Sequence, residues 1–263
     1  MEIQSRYPKS IKKLFTGNDL KLIAIIAMLV DHIATTIVWP LYLNSTIVNG
    51  VHMMGDHLPE KAQKIYLIFM IMRSIGRLTY PIFAFMLVEG FLHTRNLKKY
   101  SLRLLIFALI SEVPYNLANS HSIIDLGSRN IIWSLLIGLI MLYFIRNAEK
   151  YGKKKRILST IGYILLAEAI TFFIQANAIG GVLLIAFLYV FRKEPKWLYI
   201  SSTIALGVMT LNFMWIQMFG LAAFVLLRYY DGTIGKVNKY LFYIFYPAHL
   251  LILGIISMII FTS

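Results

Sequence analysis

Asp31 and His32 stand side by side in the middle of a run, Leu20 to Trp39, that is otherwise almost wholly apolar. Ionisable groups at the centre of a membrane-spanning helix cost at least a few kcal/mol each, so they find partners and mark sites. Positions along the chain convert to depth at 1.5 Å per residue, which puts His32 about 18 Å into its segment. Arg77 falls roughly 15–20 Å into the next segment, and Glu112 about 18 Å into the third. Asp31, His32, Arg77 and Glu112 are therefore expected in one layer near the midplane, with Glu168 of the fifth segment a further candidate. Histidine supplies that layer with a base that is neutral at pH 7, the property proton-transfer chemistry uses. A network that only fixes helix packing would need no more than one ion pair. Adjacent helical residues point about 100° apart, so Asp31 and His32 cannot form a simple dyad. Asp31 is expected to pair with Arg77 or another segment while His32 faces a cavity. Thr35 and Thr36, one turn on, are local hydrogen-bond candidates.

Lys21 lies eleven residues before His32, almost three whole turns, so the two share a face about 16 Å apart along the axis. That is the reach of an extended pantetheine arm: a cation at the helix end could hold a coenzyme A phosphate while the thioester meets the imidazole. The alternative for Lys21 is an interfacial anchor. Arg73 and Arg77 are one turn apart, Gly76 would admit a close neighbour, and Pro81 should kink or break the segment. Glu89 and His93, also one turn apart, are candidates for a donor entrance or for a solvated helix end. His249 follows Pro247 in the last segment and is either a satisfied core group or a second functional imidazole. The loop residues His52, Asp56, His57 and Glu60 have metal-binding side chains but no ligand spacing, so no metal site is expected. No Walker loop, G-x-S-x-G or H-E-x-x-H occurs.

The elements that must position these residues are helices. The 263 residues are 59% hydrophobic and 14% charged, against about a quarter charged in soluble domains. The apolar residues come in blocks near 20–40, 65–92, 100–118, 131–146, 157–175, 178–191, 197–211, 214–228 and 241–261. This patterning predicts an all-α polytopic membrane bundle of about nine spans, some short or broken, following a basic segment over residues 1–19. The single membrane domain is expected to cover 20–263, and no cleavable signal is expected. Of the 26 Lys and Arg, 21 fall before the first span, in alternate loops or at the span ends that adjoin them, three in the intervening loops, and two inside the second span. The formal charge of +14 is therefore read as a topology signal with the N-terminus cytoplasmic, not as a nucleic-acid face. Cysteine is absent, which excludes disulfides, thiolate metal sites and a cysteine nucleophile.

The stretches LKLIAIIAMLVDHI, IGRLTYPIFAFMLVEGFLHTRN, RLLIFALISEVPYNL and KYLFYIFYPAHLLIL resemble, in order, motifs of the TraX family of bacterial membrane proteins. The resemblance runs from about Leu20 to Leu253. It implies N-terminal acetylation chemistry of the kind associated with conjugative pilin, fed by acetyl-CoA. A wider likeness is to multi-span acyltransferases of surface glycans, which place a basic residue, ten residues and a histidine in the first span; Lys21 and His32 match that spacing. The resulting expectation is a membrane acetyltransferase of the bacterial inner membrane. Acetyl-CoA would dock near Lys21, Arg73, Glu89, His93 and His249. His32, Asp31, Arg77 and Glu112 would act on an amine or hydroxyl of a protein N-terminus, glycan or lipid. The competing expectations are a proton-coupled transporter or flippase using the same charged layer, and a non-catalytic membrane scaffold, which leaves His32 unexplained.

Overall fold

The structure is a computed structural model that describes residues 13–176, 180–212, 215–235 and 239–261. The first helix, α1 (Gly17–Ile33), starts three residues ahead of the apolar run because Thr16 and Asp19 form a capping box. The Thr16 hydroxyl accepts from the Asp19 N–H, and the Asp19 carboxylate accepts from the Thr16 N–H at 2.8 Å. The helix passes through a π-helical turn, Ala34–Val38, into α2 (Trp39–Ser45). Pro40 has no N–H, so the Thr36 carbonyl loses its helical donor. The buried Ser257 hydroxyl donates to it instead at 3.0 Å, and His121 Nε2 donates to Ser257 Oγ at 2.9 Å. A two-residue hairpin, Ile47–Val48 with Val51–His52, is the small departure from all-helix. Its Asn49-Gly50 turn takes positive φ at both positions, as a type I′ turn requires.

The second apolar block forms α3 (Glu60–Gly76) and α4 (Thr79–His93), separated by a turn at Arg77–Leu78 with Pro81 in the first turn of α4. The break that Pro81 predicts is thus present, four residues upstream of the ring. Then come α5 (Leu97–Ser120), α6 (Ile132–Ala148), α7 (Lys153–Phe173), α8 (Gly181–Val190) and α9 (Pro195–Met209). Two 3-10 segments, Thr210–Asn212 and Trp215–Leu221, lead to α10 (Ala222–Leu227), and α11 (Lys239–Phe261) closes the bundle. Helix α11 packs along α5 and against α1, and α1 also meets α3 and α4. The contact with α5 is tight at Gly254, where a Cβ would lie 3.0 Å from the α5 backbone at Leu117 and Ala118.

Among the described residues, five stretches are long and apolar enough to cross a membrane: Gly17–Ser45, Glu60–His93, Leu97–Ser120, Lys153–Phe173 and Leu241–Phe261. All nine expected blocks contain helix, but α8, with 10 residues, spans about 15 Å, half a hydrocarbon core. The 3-10 and α10 stretch is similarly broken. Large apolar side chains face outward, including Leu158, Leu165, Leu166 and Phe173 on α7. That surface suits lipid and not water, and the protein is a multi-pass membrane protein. Two backbone ties hold the ends of the bundle. Phe15 bridges to Tyr230, and Arg129 bridges to Ala176. Each tie joins two segments that the Lys/Arg distribution puts on the same side.

Candidate functional site

The α3–α4 break sets the site. A Cβ at Gly76 would collide with the Asp31 side chain, so glycine is what lets α1 come this close. Arg77 Nη2 donates to both Asp31 oxygens, at 2.7 and 2.9 Å. Arg73 Nη1 lies 2.7 Å from Asp31 Oδ2, and all three side chains are at least 85% buried. One carboxylate therefore serves two guanidiniums. Arg77 Nη1 also donates to Gln217 of the 3-10 segment at 3.2 Å, while Thr79 Oγ1 donates to the Ala24 carbonyl and ties α4 to α1.

His32 points away from this cluster, as the 100° offset requires, and meets α11. Its Nδ1 lies 2.7 Å from His249 Nε2, with ring planes 22° apart and centroids 4.9 Å apart, the end-to-end arrangement of an in-plane hydrogen bond. His249 Nδ1 lies 2.6 Å from the Phe245 carbonyl. A carbonyl only accepts, so His249 carries its proton on Nδ1 and, when neutral, offers a bare Nε2. His32 must then donate from Nδ1, which leaves its own Nε2 bare. That nitrogen makes no hydrogen bond to a described residue, and His32 borders a large cavity.

The cavity has a volume of about 990 Å³ and runs the length of the bundle. One end is bordered by Lys21, His93, Thr94, Tyr100 and Arg103; Asp31, His32, Arg73, Arg77 and Tyr80 border its middle; Asn119, Gly127 and Gln175 lie toward the other end. Among the described residues, its border thus carries four cations, Lys21, Arg73, Arg77 and Arg103, and a single carboxylate, Asp31. Lys21 sits over the Phe242 ring and Arg103 over Tyr100, and neither makes an ion pair with a described residue. Arg103 Nε is buried without a hydrogen-bond partner, as is the Tyr80 hydroxyl.

The structure thus assembles Asp31, His32, Arg73, Arg77 and His249, and places Lys21 and His93 on the same chamber. Four expectations change. Glu112 does not join the charged layer. Asn130 Nδ2 and Trp133 Nε1 donate to it, the latter at 2.8 Å, the Asn130 N–H donates at 3.2 Å, and Arg129 lies 3.5 Å away. The turn before α6 supplies so many donors that this carboxylate is consumed in holding α5 to α6, and it does not border the chamber. Glu168 accepts from the Gly180 and Leu183 N–H groups and caps α8. Arg73, expected as a cofactor contact, is a partner of Asp31, because it lies one turn before Arg77 and on the same side of α3. His249 is buried behind His32 and Glu89 lies behind His93, so neither borders the chamber as a cofactor contact would. In the loop, His52 Nδ1 meets the Thr46 hydroxyl and Glu60 pairs with Lys64, while the Asp56 side chain lies outside the described residues. Thr35 bonds to the Asp31 and His32 carbonyls as the spacing suggested, but Thr36 contributes its carbonyl instead.

Gln217, Arg103 and Ser257 were not singled out by the sequence. Gln217 lies in an irregular stretch with no period, and no local pattern marks it. Pro40 inside the first span was the signal for Ser257, since the carbonyl it frees must find a donor.

A family model described as TraX protein matches residues 16–257 of the chain. A curated relative from Dichelobacter nodosus, a probable fimbrial assembly protein FimC of serogroup H1, is 28% identical over 271 residues. The match covers 91% of this chain and 94% of that relative. No solved structure matches it.

Proposed function

The chain belongs to the TraX family, and we propose that it is a membrane acetyltransferase that modifies the N-terminus of a fimbrial or pilus subunit, with cytoplasmic acetyl-CoA as donor. The observation that carries the reading is the chamber. One continuous cavity of about 990 Å³ joins a cationic mouth at Lys21 and Arg103 to a bare imidazole nitrogen on His32. That volume lies at the top of the range of small-molecule sites. Four cations against one carboxylate favour an anionic ligand, and the phosphates of coenzyme A meet Lys21 and Arg103 while the pantetheine arm covers the 16 Å or so to His32. His93 and Thr94 border the same mouth.

In the reaction, an acceptor amine attacks the thioester carbonyl carbon. His32 Nε2 takes the proton that the nitrogen loses, the C–S bond breaks, and the thiolate leaves with that proton returned from His32. The products are the N-acetyl acceptor and free coenzyme A. Arg73 and Arg77 lie beside the position where the oxyanion develops, and Asp31 holds both in place. His249 holds the His32 ring in the tautomer that presents Nε2, the part an orienting carboxylate plays in a triad. The placement of His249 supports positioning and not cofactor contact.

The test uses purified protein in lipid nanodiscs with [14C]acetyl-CoA and a free-amine peptide. Release of coenzyme A with label on the peptide is expected. His32→Ala should abolish both while the protein keeps its thermal unfolding transition. Wild-type turnover by that variant, or proton-coupled solute uptake without acetyl transfer, overturns the proposal.

A further inference from the structure

A second, smaller cavity of about 370 Å³ lies beside the chamber, and Thr35 and Arg73 border both. Its walls are Trp39, Tyr66, Phe69 and Met70, with Trp215 closing one side. The mouth opens on the bundle surface: Trp39, Tyr66 and Trp215 are exposed, at 37%, 42% and 63%. These residues lie on one face of each helix, Thr35 and Trp39 on the first, and Tyr66, Phe69 and Arg73 on α3. The opening is therefore lateral, in an apolar surface that faces lipid. It is separate from the Lys21 mouth, and Thr35 and Arg73 stand between it and the part of the chamber that His32 borders.

On the acetyl-transfer reading above, we infer that this groove admits the acceptor, and that the acceptor is the free amino-terminal end of a membrane-embedded protein, entering as an extended apolar strand. Size excludes a helix, which is 10–12 Å across and would fill the groove with roughly a 4 Å length. It also disfavours a two-tailed lipid entering head first, since both chains must pass the same aromatic neck. An extended chain fits: Trp39 lies seven residues from His32, about 10 Å, which about three extended residues cover. Only a chain end can enter in this way, because an internal segment would have to enter doubled.

Two polar features agree. Arg73 Nε is buried at the junction without a hydrogen-bond partner, and a peptide carbonyl would satisfy it. The two guanidiniums exceed the one carboxylate by a charge, which disfavours an ammonium and leaves the neutral, nucleophilic amine. Aromatic walls bind apolar side chains with little demand on their identity, so the first residues of the acceptor are apolar or aromatic.

The experiment uses the full-length protein in nanodiscs containing phosphatidylethanolamine, with the peptide Phe-Leu-Ile-Leu amide as probe. Acetylation is read from [14C]acetyl-CoA, coenzyme A binding from the thermal shift, and occupancy from a benzophenone at the second peptide residue. Label on the peptide amine and cross-links within residues 66–73 are expected. Met70→Trp, which fills the groove, should raise the peptide KM about tenfold or more, the loss of roughly one buried side chain's contacts. Tyr66→Ala, at the exposed mouth, tests the same face without a core change and should raise KM several-fold, about threefold or more. Neither should alter the thermal shift with coenzyme A. Unchanged peptide KM in both variants, cross-links away from the groove walls, or label on phosphatidylethanolamine instead of the peptide overturns the inference. A peptide that cross-links to α3 in a protein that acetylates nothing supports the groove and removes the acetyl-transfer reading.

Discussion

Removing Asp31 should hurt far more than removing either arginine it binds, because one carboxylate here serves two guanidiniums at 2.7 Å. Charges about 4 Å apart at an effective dielectric near 20 attract by about 4 kcal/mol. Two guanidiniums sharing a carboxylate repel one another by about 3 kcal/mol at roughly 6 Å. Asp31→Asn forfeits both attractions, about 8 kcal/mol gross, and leaves the repulsion intact. Hydrogen bonds to the amide and water from the chamber recover part, so the net loss should fall in the range of about 3–5 kcal/mol found when a buried pair is broken from one side. Arg77→Gln loses one attraction and relieves the repulsion. Its net cost is about 1 kcal/mol, with a neutral Arg73–Asp31 pair remaining. At about 2–4 °C per kcal/mol for a chain of this size, Asp31→Asn should lower Tm by roughly 6–20 °C and Arg77→Gln by about 2–4 °C. Adding Arg77→Gln to Asp31→Asn should recover part of the loss, since it removes one orphaned cation. The assay is thermal unfolding of the detergent-solubilised protein followed by intrinsic tryptophan and tyrosine fluorescence. Equal losses for the two single variants, or a double variant that is simply their sum, would falsify the shared-carboxylate account.

Other outcomes follow from single contacts. His249→Phe should keep an aromatic ring behind His32 but remove its acceptor, lowering kcat by about 10–100-fold with little change in the KM for acetyl-CoA; a matching rise in KM would instead mean cofactor contact. Ser257→Ala should leave the Thr36 carbonyl unpaired and cost about 1–3 kcal/mol, read as a lower Tm; an unchanged Tm would mean that the π turn finds another donor. For topology, Lys98→Cys should resist an impermeant thiol reagent in intact cells while His57→Cys is labelled. The chain has no native cysteine to interfere, and the reverse pattern would put the Lys21 mouth outside, away from acetyl-CoA.

The helical, membrane-spanning character of this chain was legible in its sequence, because lipid forces the backbone to satisfy itself and apolar length then shows directly. So was the partnership of Asp31 with Arg77: a lone acid in an apolar segment must be paired, and Arg77 was the cation at matching depth. The close approach at Gly76 and the break near Pro81 could also be read, since each rests on the geometry of one residue. The sequence put Asp31 and His32 on different faces through the helical period alone. What depth along separate helices cannot give is rotation, and rotation decided the rest. Glu112 and Arg77 share a level, but Glu112 turns toward the donors at Asn130 and Trp133, and Glu168 turns to cap α8. Arg73, one turn before Arg77, also reaches Asp31, so a single carboxylate takes both guanidiniums. The pairing of His32 with His249, residues 217 apart in sequence, comes from the packing of α11 against α1, and no local pattern specifies it. The tautomer of His32 follows from that pairing, and so does the nitrogen that faces the chamber. The 3-10 stretch that brings Gln217 to Arg77 and Trp215 to the lateral groove has no hydrophobic period, so only the tertiary fold locates it.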